Sequence, residues 1–164
     1  SFPTRRSSDL DSKTGNTKLL AQWIAEEIKD CVCCGDIDNA VEADTYFVGF
    51  WTDKGSCTDK VKNFLESLHG KKIYLFGTAG FGVSNEYFEK ILNGVKVLIP
   101  DDNEIMEMFM CQGKMPMVVR DRYEKMLADP DKAAQAQMLI KNFDMALSHP
   151  DEKDRENMIK KLKI

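Results

Sequence analysis

Apolar residues recur along this chain in two rhythms. Leu19, Leu20, Trp23, Ile24 and Ile28 fall three or four apart, which predicts an amphipathic helix over Lys18–Lys29. Trp23 lies on its apolar face and is expected in the core. The same spacing over Thr58–His69 puts Val61, Phe64, Leu65 and Leu68 on one stripe, with Gly70 as the stop. Ser84 caps a third helix carrying Tyr87, Phe88, Ile91 and Leu92, which Asn93-Gly94 should end. Between these helices the rhythm changes. Thr45–Phe50 and Ile73–Phe76 are unbroken apolar runs bounded by turn residues, the mark of strands covered on both faces. Cys31–Asp36 predicts a short edge strand and Ile105–Cys111 the last strand. Asp38–Asp44 predicts a short acidic helical turn, and Val95–Pro100 a short strand or a connector.

The last third is helical: Met117–Ala128, Lys132–Leu147, and a final helix that restarts at Ser148-His149-Pro150-Asp151 and ends near Leu162. Most of the nine methionines fall here at helical spacing, so they are expected to fill gaps in the core. Strand–helix alternation through the first two-thirds predicts an α/β fold, a doubly wound parallel sheet with helices on both faces. Right-handed crossovers then bring the loops 12–17, 50–57 and 77–82 to one edge, where such sheets bind ligands.

Composition narrows the function without naming it. The 164 residues suit one domain with one sizeable core. A net charge of −4 without a basic stripe argues against nucleic acid as the main partner. No apolar run is long enough to span a bilayer and no secretory pattern is visible, so membrane insertion is not expected and the expected location is cytoplasmic. The five cysteines are an odd number without framework spacing, which predicts free thiols. Cys31-Val32-Cys33-Cys34 lacks a second Cys or His pair at matching spacing, and no metal is expected.

Ser12-Lys13-Thr14-Gly15-Asn16-Thr17 is the stretch with the clearest chemistry. It opens a helix, whose first N–H groups lack internal partners and whose dipole favours an anion. Hydroxyls of Ser12, Thr14 and Thr17 can add donors, Gly15 allows close approach, and Lys13 is the one cation within the loop. A phosphate group is the expected occupant. The loop is not a Walker loop, because no Gly-Lys-Ser/Thr triplet ends it. Gly77–Gly82 spaces its glycines G-x-x-G-x-G, which does not fit a dinucleotide fingerprint.

Residues 12–17 match in full the phosphate loop of flavodoxins, Ser/Thr-x-Thr-Gly-Asn-Thr, and over 11–164 the chain resembles that family. Cys111-Gln112-Gly113 and the Ser148–Asp151 turn resemble a short-chain flavodoxin-domain subgroup of anaerobic bacteria. The resemblance implies a sheet of order 2-1-3-4-5 and bound FMN. Ser12, Lys13, Thr14, Gly15, Asn16 and Thr17 would then hold the phosphate. Phe50 and Trp51, with Thr52, Lys54 and Gly55 of the loop they open, would meet the isoalloxazine ring, and Trp51 is the expected stacking partner. Thr78, Ala79, Gly80, Phe81 and Gly82 would wrap the ring edge with backbone groups. Cys57 could reach the flavin edge, whereas His149 is expected as a helix-boundary residue. No residue need act as acid, base or nucleophile.

Residues 1–10 fit none of this. Ser1-Phe2-Pro3-Thr4-Arg5-Arg6-Ser7-Ser8-Asp9-Leu10 is a poor central strand, and it coincides with the translation of a common sequencing adapter. The expectation is a non-native segment at 1–10 and a flavodoxin-like domain at 11–164 whose native first strand is missing, with Ser7–Ser12 drawn into the vacant slot. Loss of that interior strand predicts a poorly folded chain.

The expected function is an FMN-binding electron carrier serving a redox partner protein, a reductase. The acidic surface should lower the flavin potential and suit a basic patch on that partner. Two alternatives stand beside it: an FMN-dependent reductase of a small substrate such as a quinone or tetrapyrrole, and a flavin-free interaction module on the same fold. The absence of a nicotinamide motif leans toward the carrier over a stand-alone oxidoreductase.

Overall fold

The computed structural model describes residues 6–10, 14–28, 31–82 and 84–164. Five parallel strands form one sheet: β1 (Arg6–Leu10), β2 (Cys31–Asp36), β3 (Thr45–Trp51), β4 (Lys72–Ala79) and β5 (Glu104–Gln112). Their order is β2-β1-β3-β4-β5, as the family resemblance implies. The interior slot is filled by Arg6–Leu10, which pairs with β2 on one side and β3 on the other. The strand starts one residue before the stretch expected there, Ser7–Ser12, whose last two residues lie outside the described residues.

The helices are α1 (Asn16–Glu27), α2 (Asp59–Glu66), α3 (Asn85–Lys96), α4 (Met117–Met126), α5 (Ala133–Ala146) and α6 (Glu152–Leu162). Ile37–Asn39 makes a 3-10 turn where the acidic turn was expected. Alternation along the strands divides the core into two layers. Tyr46, Val48 and Phe50 of β3, with Ile73 and Leu75 of β4, pack against Val61 and Leu65 of α2 and Ile91 and Val95 of α3. Phe47, Phe76 and Phe109 face the other way, onto Leu20 and Ile24 of α1 and Met158 and Leu162 of α6. Trp23 is half-buried against this second layer, with the Arg155 guanidinium 5.8 Å from its ring centroid.

Two glycines explain how the aromatic strands fit together. Gly49 pairs with Phe76, and Phe50 with Gly77. A Cβ on either glycine would come within 2.5 Å of the opposing ring. Each ring therefore lies over the glycine across the ladder, and at Gly49 the same gap admits Thr17 of α1.

Three expectations are corrected. α3 does not stop at Asn93-Gly94 but runs on to Lys96. Gly94 has open space around it, and continuing the helix buries Val95 completely. That burial is worth ~1.5–3 kcal/mol and outweighs the ~1 kcal/mol helix cost of a glycine. Val95–Pro100 is accordingly no strand: it holds the end of α3 and turns that tuck Ile99 into the core. The methionines do not all fill gaps. Met110 and Met158 are buried, but Met117, Met138 and Met145 are 57%, 74% and 60% exposed. The reason is that α4 and α5 pair with each other beyond the sheet, through a two-toothed Arg120–Asp144 contact. α4 buries none of its residues, and α5 buries only Ala136, Phe143 and Ala146.

Candidate functional site

The carboxyl ends of the strands bring the three predicted loops together. Ser12 and Lys13 lie outside the described residues. From Thr14 onward the opening of α1 is visible. Gly15 occupies the N-cap with φ +87°, a conformation that suits glycine, and as a glycine it brings no side chain of its own to the helix mouth. The first turn carries no acidic residue. A glycine N-cap with an acid-free first turn suits an anion.

Thr17 and Asn16 are both buried. Thr17 Oγ1 donates to the Phe50 carbonyl at 3.2 Å and lies 3.3 Å from Thr78 Oγ1. Asn16 Nδ2 donates to the Lys114 carbonyl at 2.7 Å. These bonds join the opening of α1 to the ends of β3, β4 and β5.

The second loop is a tight hairpin. Asp53 and Ser56 exchange backbone hydrogen bonds of 2.7 and 3.0 Å around Lys54 (φ +50°) and Gly55 (φ +83°). Two left-handed residues in a two-residue turn give the primed geometry that such hairpins favour. Lys54 and Gly55 sit exposed at its tip, and Trp51 is half-exposed at its root. Phe50 is fully buried with its ring over Gly77, so its side chain does not reach the loop surface. Thr52 donates through both its N–H and its Oγ1 to the Thr78 carbonyl, each at 2.9 Å.

The third loop is anchored from one side. Thr78 and Ala79 are buried, and the Ala79 carbonyl accepts from Gly113 N–H at 2.9 Å. The Gly80 carbonyl accepts from Gln112 Nε2 at 3.0 Å and from Asn142 Nδ2 at 3.1 Å. A Cβ on Gly80 would meet Met115 Sδ at 2.4 Å, and one on Gly82 would meet the Gln112 amide at 2.8 Å. In a trans peptide C=O and N–H point opposite ways. The N–H groups of Gly80 and Phe81 are therefore turned away from β5 and α5. Among the described residues neither has a protein acceptor. Two adjacent, half-exposed donors facing the second loop suit a carbonyl-bearing ring.

Residues distant in sequence complete the edge. An open cleft of about 450 Å³ lies between the mouth of α1 and the turn before α6, lined by Thr14, Gly15, Lys18, Lys114 and His149 among others. Lys18 and Lys114 supply cations that the sequence reading missed. Nothing in the local pattern marks Lys114, which reaches this cleft only because β5 ends beside α1. His149 Nδ1 lies 2.6 Å from Asp154 Oδ2, and Asp151 and Asp154 form the capping box of α6. This arrangement fits a helix-boundary role. Burial pushes the Cys57 thiol up, and burial followed by the carboxylates of Asp154 and Asp151 pushes Cys111 well up.

The comparisons now bear on this edge. The model of the flavodoxin domain family matches residues 10–163. The chain belongs to the flavodoxin-domain family. The flavodoxin-like domain-containing protein BilS of Clostridioides difficile (strain CD3) is 38% identical over 151 residues, covering 87% of this chain and 85% of that protein. BilS of Clostridium symbiosum (strain WAL-14163) is 35% identical over 164 residues, covering 87% of this chain and 86% of its own. Among solved structures, the flavodoxin of Streptococcus pneumonia TIGR4 superposes with a TM-score of 0.53 at 15% identity, covering 86% of this chain and 98% of that one. FMN is the cofactor that goes with the family, and the glycine-opened, acid-free α1 mouth and the outward Gly80 and Phe81 donors fit it. Among the described residues no helix is long and apolar enough to cross a membrane.

Proposed function

We propose that this flavodoxin-domain chain is an electron carrier that holds FMN and passes electrons to a reductase protein. The observation that carries the reading is the convergence on one sheet edge of the glycine-opened mouth of α1, a tight hairpin rooted in Trp51, and the outward Gly80 and Phe81 donors. Bound FMN would supply one- and two-electron transfer, and the protein's part is to hold it and set its potential.

In this reading Ser12, Lys13, Thr14 and the first N–H groups of α1 hold the phosphate, with Lys18 and Lys114 offsetting its charge. Trp51 packs against the ring from the hairpin side. Gly80 and Phe81 N–H donate to the pyrimidine edge, where negative charge gathers on reduction. With a net charge of −4, the chain suits a partner with a basic patch, and transfer to it should slow as salt screens the pair. The cytoplasm, where free thiols persist, is the compartment we assign.

The test mixes the anaerobically reduced, FMN-loaded protein with a reductase acceptor and, separately, the oxidised FMN-loaded protein with NAD(P)H and a small quinone. Rapid oxidation by the protein acceptor with negligible NAD(P)H turnover supports a carrier. Steady NAD(P)H consumption with a small quinone would make the chain a reductase in its own right.

A further inference from the structure

The α4–α5 hairpin stands outside the sheet, yet one of its side chains enters the candidate site from behind. Asn142, on α5, donates to the Gly80 carbonyl at 3.1 Å, and its own Oδ1 accepts from Gln112 Nε2 at 3.2 Å. Gln112 Nε2 also reaches the Gly80 carbonyl at 3.0 Å. Three hydrogen bonds thus close a ring of two amides and one backbone carbonyl. The carbonyl they hold belongs to the Gly80–Phe81 peptide. Gly80 has no Cβ, so nothing in its own side chain fixes that peptide's rotation. The amide bracket does.

We propose that Asn142 is a positioning residue for the flavin ring: by pinning the Gly80 carbonyl toward α5, it keeps the Phe81 N–H, beside that of Gly80, aimed at the ring's pyrimidine edge. This rests on the FMN reading above. It goes beyond it by giving the helical hairpin a part in the site, because Asn142 is the side chain through which α5 holds this peptide. Without Asn142 the carbonyl keeps only the Gln112 donor, and the peptide can rotate. A misaimed N–H costs most when the ring carries charge, since hydrogen bonds to charged groups are roughly twice as strong as neutral ones.

The test compares wild type with Asn142→Ala and with the near-isosteric Asn142→Asp, which keeps the volume but removes the donor. Each is titrated with FMN and, separately, with riboflavin, which lacks the phosphate. Midpoint potentials of the FMN-loaded proteins and thermal midpoints of the flavin-free ones are also measured. The expected result is about a ten-fold weaker affinity for both flavins by the same factor, consistent with one lost hydrogen bond to a partly buried group. The potential should shift negative, and the flavin-free melting temperature should hardly move. Affinities within two-fold of wild type and an unchanged potential in both variants would overturn the inference while leaving FMN binding intact. Failure of the wild type to bind either flavin would overturn the FMN reading and this inference with it.

Discussion

Thr17 Oγ1 and Thr78 Oγ1 lie 3.3 Å apart in a fully buried position, with the Phe50 carbonyl 3.2 Å from the same Thr17 oxygen. One hydroxyl therefore ties the first turn of α1 to the ends of β3 and β4. Thr17→Val keeps the shape and deletes the donor. It should destabilise the fold by ~1–3 kcal/mol, because the Phe50 carbonyl loses its side-chain partner in a buried setting. Urea unfolding followed by circular dichroism checks this. FMN affinity, measured where the variant is folded, should change far less than stability does.

The cleft between α1 and the turn before α6 makes a separate prediction. Lys114→Ala removes a cation brought in by β5, and its exposed side chain carries no packing of note. The variant should bind FMN about three- to ten-fold more weakly, the size of an exposed charge near a helix mouth. Riboflavin binding should not change. Equal losses for both ligands would place Lys114 outside the phosphate site.

The pH dependence of stability has two limbs with opposite signs. Asp151 is held below the ordinary carboxylate range first by the backbone N–H of Asp154, and Glu107 first by Lys163. Their folded values lie under their unfolded ones, so their contribution is complete above pH ~4 and is lost as pH falls through the folded values. Cys111 is pushed the other way by burial. Its contribution is complete below the unfolded thiol value near pH ~8.5 and is lost as pH rises above it, because only the unfolded chain ionises readily. Thermal midpoints recorded across pH should fall on both sides, and Cys111→Ala should make the alkaline limb shallower without removing it, since Cys57 is raised by burial as well, and should leave the acid limb unchanged.

The interior strand offers a sharper test. Arg6–Leu10 pairs on both sides, yet holds one apolar residue in five. Central strands of parallel sheets are ordinarily near-continuous apolar runs. Replacing Arg6 and Ser8 with Val should raise the thermal midpoint by a few degrees, in line with up to ~1 kcal/mol per site from the higher β propensity of valine. No gain, or a loss, would mean that the segment as it stands already satisfies the slot.

Much of the fold was legible because its signals are local. The apolar runs at Thr45–Phe50 and Ile73–Phe76 and the cap at Ser84 depend on near neighbours, and they stand where the pattern put them. Gly94 misled because helix propensity is also local, whereas the burial of Val95 that overrides it is tertiary. The methionines misled for a related reason. Helical spacing says that a face exists but not what covers it, and α4 and α5 turn much of theirs outward. At the site, nothing in the loop motif told of the bonds that its own Thr17 and Asn16 make. Thr17 and Asn16 answer to Phe50, Thr78 and Lys114, partners that only the sheet order brings close. Asn142 was invisible for the same reason, since its partner Gly80 lies 62 positions away.

One ligand at one helix mouth underlies every role proposed for this edge, so the most direct measurement is a fluorescence titration of FMN against riboflavin with the purified protein. Quenching should saturate at one FMN per chain, with riboflavin at least about ten-fold weaker for want of the phosphate's charge-assisted hydrogen bonds. Equal affinity for the two flavins, or no quenching by either, would overturn the FMN reading.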